Sequence, residues 1–156
     1  MMGSAAGPLH AYLAGTGRDG GGRLAADVIH FSDDRLEAVH DYIQWLFPLP
    51  TQSGAQPGAP VLTAAEIEAI KVDRQAQETL SLATERMLRF YRNTRWWLTA
   101  YDHNHLRITR IISSLMLLRS AEDARSFHSA ILDLNEAAGS PVNTGSLAFW
   151  ADATVL

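Results

Sequence analysis

The sequence predicts an all-α protein, a single compact globular helical domain of about five to seven helices around a central buried helix. Three observations predict it. Apolar residues recur at i, i+3, i+4 and i+7 in the longer segments. Helix-start and helix-stop residues bracket those segments. No stretch sustains the two-residue alternation of a strand. With 156 residues, 47% of them apolar, the chain can bury one sizeable core but not two.

The stretch Ser32 to Pro48, SDDRLEAVHDYIQWLFP, organises the rest. At about 100° per residue, Leu36, Val39, Tyr42, Ile43, Leu46 and Phe47 share one arc, and Trp45 projects from nearly the opposite side beside Ala38 and Asp41. The expectation is one continuous helix with something to bury on both faces. Ser32 caps it, Asp33 and Asp34 suit the positive end of its dipole, and Pro48 ends it.

Ahead of this stretch, Met1 to Pro8 reads as a disordered or vector-derived N-terminus, so the helical domain occupies residues 9–156. Pro8 to Ala14 suits a short helical turn, and Leu24 to Phe31 a short helix. Between them Gly15 to Gly22 reads as a flexible loop. Its glycines sit beside Arg18 and Arg23, but no GK[ST] ending and no preceding strand make it a phosphate loop.

Beyond it, Leu49 to Pro60 is rich in proline and glycine and forms a long loop. Thr63 and Glu66 make a capping box for a helix reaching about Lys71. Asp73 caps the next, Arg74 to Phe90, with Ala76, Leu80, Ala83, Met87 and Phe90 at helical spacing. Trp96 and Trp97 are adjacent and cannot face the same way, which places one at a surface or cleft. The segment His103 to Arg119 carries a core arc of Ile108, Ile111, Ile112, Leu115, Met116 and Leu118. His103, Arg107, Arg110 and Ser114 line its other side. Ser120 with Asp123 opens Ala121 to Ala138, which Gly139 and Pro141 stop. Thr144 to Trp150 closes the core with Leu147, Phe149 and Trp150.

Composition narrows the chemistry. There is no cysteine, so disulfides, thiolate catalysis and Cys-based metal sites are excluded. Thirteen basic against seventeen acidic residues give −4, which argues against nucleic acid as a partner, because phosphate neutralisation supplies most of that affinity. No apolar run approaches the ~20 residues of a transmembrane segment and the N-terminus lacks a basic n-region, so a soluble cytoplasmic protein is expected. No nucleophile elbow, phosphate loop, dinucleotide fingerprint, HExxH or carboxylate pair occurs; no catalytic residue and no cofactor is assigned. His103 and His105 stand about 160° apart on a helix, a poor metal pair, and no metal is expected. His105 falls on the core side, where a hydrogen-bonded structural histidine is the ordinary outcome.

What remains is a set of candidate ligand-binding residues: His40, Asp41, Tyr42, Gln44, Trp45, Trp96, Trp97, His103, Arg107 and Arg110. Asp41 beside Trp45 asks for a cation, which Arg107 or Arg110 would supply, as a structural pair or as a site that opens to a ligand. The two arginines beside His103 have the geometry to take a carboxylate or phosphate, and equally the look of a solvated charge stripe.

Two blocks carry a family resemblance. HDYIQWLFPLP, His40 to Pro50, and HNHLRITRIISSL, His103 to Leu115, resemble the signature blocks of the opioid growth factor receptor conserved region. The linking pieces APVLTAAEIEAI and MLRFY agree with it, and the likeness runs from Leu9 to the C-terminus. It implies an all-helical domain unrelated to seven-helix receptors, in a family whose vertebrate member is associated with an enkephalin peptide and growth control at the nucleus. Where the family often has glycine, this chain has Arg92, Met116 and Arg119.

The leading expectation is therefore a helical ligand- or peptide-binding, regulatory module. Its site is expected in a cleft between the central helix and the His103 helix, with Tyr42, Trp45 and Trp96 or Trp97 as aromatic walls and Arg107 or Arg110 meeting an acidic group. The partner is a short peptide or small anionic ligand. The alternatives are an enzyme acting on a small anionic substrate through His40 or His103, and a structural domain that forms homo-oligomers.

Overall fold

A computed structural model of the chain describes residues 4–155. Among the described residues there are nine helices and no strand. The all-α class holds, with more and shorter helices than the five to seven expected. The chain divides into two compact units, the first ending at Ala83 and the second beginning at Thr84.

The first unit holds α1 (Pro8–Leu13), α2 (Ala25–Ile29), α3 (Asp33–Ala38), α4 (Ile43–Leu46) and α5 (Ala64–Val72). The boundary falls within α6 (Arg74–Asn93). Helices this short leave most of their terminal N–H and C=O groups without intrahelical partners, so side chains must supply them. The capping box of α5 does so twice. Glu66 Oε1 accepts from the Thr63 amide at 3.2 Å and Thr63 Oγ1 accepts from the Glu66 amide at 3.1 Å. The other oxygen, Oε2, reaches α1 and accepts from the amides of Leu9 at 2.9 Å and His10 at 3.1 Å. One buried carboxylate thus caps its own helix and also α1, whose Leu9 and His10 lie 57 and 56 residues before it. Gly7 makes room for it, since a Cβ there would stand 2.5 Å from Glu66 Cδ. Gly7 and Pro8 belong to the start of α1, while Met1 to Gly3 of the expected N-terminal tail lie outside the described residues. Leu9, Tyr12 and Leu13 bury α1 against α5 and α4.

The stretch Ser32 to Pro48 is not one helix. Ser32 caps α3 through the Arg35 amide, as expected, but the backbone turns extended at Val39 and resumes helical form only for the single turn of α4. Val39, His40, Asp41, Tyr42 and Ile43 all rank in the weaker half of helix formers, so little holds the turn between them. The break is also rewarded: Tyr42 Oη donates to the Leu36 carbonyl at 2.8 Å, satisfying an acceptor that α3 leaves over, and Asp41 is released toward the glycine loop. Leu36, Tyr42, Ile43, Leu46 and Phe47 are all buried, so the apolar arc reaches the core through two short helices.

The second unit is built from α7 (Asn104–Leu118), α8 (Ala121–Ala137) and α9 (Thr144–Ala153), with α7 packed against both others. Ile108, Ile111, Ile112, Leu115 and Leu118 of α7 are buried, as their spacing predicts, together with Ala124, Phe127 and Ile131 of α8. Each large aliphatic or aromatic group so buried is worth roughly 1.5–3 kcal/mol. Ser120 caps α8 through the Asp123 amide at 3.0 Å. Gly139 ends it at φ +89°, with Ser140 N donating to Asn135 O at 2.8 Å and Gly139 N to Glu136 O at 3.0 Å, a left-handed stop that suits glycine. Phe149, expected in the core, is 63% exposed. Its neighbour Trp150 takes the inward position, and adjacent helical residues diverge by about 100°.

Candidate functional site

The candidate site lies in the first unit and is built around a loop that the sequence reads as flexible. Asp19 organises it: its Oδ1 accepts from the amides of Gly21 at 2.9 Å and Arg23 at 3.0 Å, and its backbone exchanges hydrogen bonds with Arg23 and Gly22. Gly22 turns at φ +79°, a conformation side chains rarely adopt. The glycines therefore close a compact turn whose product is a fixed arginine. Arg23 Nε donates to Asp19 Oδ2 at 2.8 Å and Nη2 to Asp41 Oδ1 at 2.9 Å. Burial works to depress the Arg23 guanidinium, but its bonds to Asp41 and Asp19 outweigh burial and raise it above its ordinary value.

Asp41 and Trp45 come together as expected, on the break and on α4. They line a pocket of about 200 Å³ with Gly20 and with Gln56, Gly58, Ala59 and Pro60 of the proline loop. Tyr12 backs Trp45 edge-on, with ring centroids 5.5 Å apart. The Tyr12 hydroxyl is buried with no hydrogen-bond partner among the described residues, and burial, reinforced by Asp19, pushes its ionisation well above the ordinary tyrosine range. The cation on Asp41 is Arg23, not Arg107 or Arg110 as the sequence suggests. The sequence pattern missed Arg23 because 18 residues and two helices separate it from Asp41. The one available signal was Asp19 four residues before it, bracketing three glycines.

The remaining candidates scatter. His40 is exposed at the break between α3 and α4; Tyr42 and Gln44 are buried. In the second unit Trp96 is 48% exposed, whereas Trp97 is buried and donates through Nε1 to the Tyr91 carbonyl at 3.0 Å. One tryptophan of the pair is thus core and the other surface. His103 is exposed, 3.8 Å from Asp102. Arg107 is buried with Nη1 3.4 Å from Asn104 Oδ1, and burial pulls the Arg110 guanidinium down to about 10, which leaves it charged at neutral pH. Ser114 is buried as well, while Leu106 at the stripe's edge is 72% exposed. From Arg107 to Ser114 the polar stripe of α7 is buried or half-buried; only its first member, His103, is solvated.

His105 has the structural role its wheel position suggests. It is buried, and because a carbonyl can only accept, its Nε2 carries the proton it gives to the Trp97 carbonyl at 2.7 Å. Trp150 stands edge-on to it and donates to its carbonyl at 2.9 Å. Among the described residues no group of three or more His, Asp or Glu side chains could hold a metal ion, and no helix is long and apolar enough to cross a membrane.

Comparison with known proteins points one way. Residues 28–96 match the family model described as the opioid growth factor receptor (OGFr) conserved region. The chain is similar to the opioid growth factor receptor of Mus musculus, 43% identical over 100 residues, covering 53% of the chain and 16% of the relative. Against the Rattus norvegicus receptor it is 40% identical over 115 residues, covering 60% and 20%. Against opioid growth factor receptor-like protein 1 of the same organism it is 39% identical over 99 residues, covering 53% and 21%. The chain spans about a fifth or less of the length of these relatives. No solved structure matches it.

Proposed function

We propose, from the match of residues 28–96 to the opioid growth factor receptor conserved region, that the first unit is a binding module for a short peptide, entered at Asp41 and Trp45. The observation that carries this reading is the pocket where a half-buried indole, a carboxylate with 52% of its side chain exposed and the proline loop meet. At about 200 Å³ it lies below the ~300–1,000 Å³ usual for a whole drug-sized ligand, so it seats one side chain or terminal group while the rest of the peptide lies outside. The relatives' name, a receptor for an opioid growth factor, agrees with a peptide partner. In this reading the charged contact is Asp41, which lines the pocket and is half exposed, whereas Arg107 is buried. A cytoplasmic module without catalytic machinery fits the same picture.

Calorimetry with a panel of short peptides tests the reading. Gly58→Leu places a side chain at the pocket mouth, where a Cβ meets nothing within 4 Å, and leaves the core untouched. A binding heat that vanishes in Gly58→Leu and persists in Arg110→Gln supports the site. Equal heats from wild type and Gly58→Leu refute it.

A second reading is self-association through the second unit, where Trp96, Tyr101, Leu106 and Phe149 are all exposed. A monomer mass by light scattering at high concentration would remove it.

A further inference from the structure

The ion pairs behind the pocket do not balance. Asp19 and Asp41 share the single guanidinium of Arg23. Asp19 has no side-chain exposure and is fully engaged: Oδ1 takes two amides and Oδ2 takes Arg23 Nε. Asp41 gives only Oδ1 to Arg23; its Oδ2 has no partner among the described residues. Two carboxylates on one cation leave one negative charge uncompensated. Solvent access places that charge at Asp41, since Asp19 is sealed. The other residues lining the pocket, Gly20, Trp45, Gln56, Gly58, Ala59 and Pro60, include no cation to neutralise it.

We propose that the group this pocket recognises is an organic ammonium ion, held between the free oxygen of Asp41 and the indole of Trp45. The proposal rests on the binding reading above and names the chemistry of its ligand. Three classes of head group compete for the space. An anion meets the uncompensated carboxylate and is repelled. A neutral apolar group strips water from that carboxylate and returns nothing for it, a cost that burial of a small group does not offset. An ammonium ion gains a charge-assisted hydrogen bond from Asp41 and the negative face of the indole, the ring on which cations sit best. The pocket is also shaped for a compact head. Tyr12 fixes Trp45 from behind, so the indole does not have to be ordered on binding, and Gly20 and Gly58 present no side chain to the space in front of it.

The indole N–H signals of uniformly 15N-labelled protein test this directly. The chain has four tryptophans, and the Trp45 signal is identified by its loss in Trp45→Phe. The probes are choline and n-butylammonium, each paired with its uncharged counterpart, 3,3-dimethylbutanol and n-butanol. The expected result is a saturable shift of the Trp45 signal with both ammonium ions, at least tenfold weaker with the alcohols. Asp41→Asn keeps the acceptor for Arg23 and removes the charge; it should weaken the ammonium ions about tenfold and leave helix content unchanged by circular dichroism. If the alcohols shift Trp45 as strongly and Asp41→Asn has no effect, the pocket binds ligands but the ammonium assignment is wrong. If no probe moves Trp45, the assignment also falls, while the peptide calorimetry decides separately whether the module binds at all. A stronger response to butylammonium than to choline identifies the hydrogen-bonding head of an amino terminus or lysine; the reverse identifies a quaternary ammonium.

Discussion

The two units solve one problem differently. The helices wholly inside the first unit run to 6, 5, 6, 4 and 9 residues, those of the second to 15, 17 and 10. A helix of six residues leaves about twice as many backbone groups open as it closes, so the first unit depends on side chains reaching across the fold: Glu66 to α1, Tyr42 to Leu36, Asp19 and Arg23 to Asp41. A helix of fifteen closes most of its own, and the second unit spends its long-range polar contacts on a few positions such as His105 and Trp150. The difference teaches where single polar substitutions should matter.

The largest effect should come from Glu66→Ala. It uncaps α1 and α5 together, and at about 1–2 kcal/mol per cap the loss should be about 2–4 kcal/mol in urea unfolding. A change below about 1 kcal/mol would mean that solvent caps α1 as well as the carboxylate does. Tyr42→Phe removes only the bond to the Leu36 carbonyl and should lose about 1 kcal/mol, with amide exchange quickening at Val39 to Asp41 before it does in α7. Exchange that quickens equally in α7 would erase the contrast. The smallest effect is electrostatic. Asp73 caps α6 and accepts from His10 Nε2 at 2.8 Å. Burial works to raise its carboxyl, but the Ala76 amide and His10 outweigh it and hold it below the ordinary value. A depressed folded-state value means that its stabilisation is present above the unfolded value of about 3.9 and lost as pH falls through the folded one. The unfolding midpoints of wild type and Asp73→Asn should therefore differ slightly at pH 7 and converge toward pH 3; a constant gap would show that the cap, not the charge, matters.

The caps and the long periods were readable in advance. Ser32, Thr63 with Glu66, Asp73 and Ser120 all cap where their spacing places them, because a capping bond joins residues only three positions apart. The apolar arc of α7 was readable for a similar reason, since fifteen residues carry four turns of signal. The break at Val39 was not: its apolar spacing suits one helix or two, and the bond that rewards the break, from Tyr42 to a backbone carbonyl, has no side-chain signature at Leu36. The candidate pocket is half legible. Asp41 and Trp45 are four residues apart and line it together, but their companions Arg23, Gly20 and Gln56 to Pro60 come from two loops, where no period exists to say what meets what.

The double duty of Glu66 has a consequence for the order in which the chain assembles. The first turn of α1 is held by an oxygen that arrives only after more than fifty further residues are in place, so α1 should stay unformed until α5 has docked. The leading segment is then the last piece of the first unit to set. A protease should find it before any other helix, and clipping it away would leave Oε2 of Glu66 facing an empty groove.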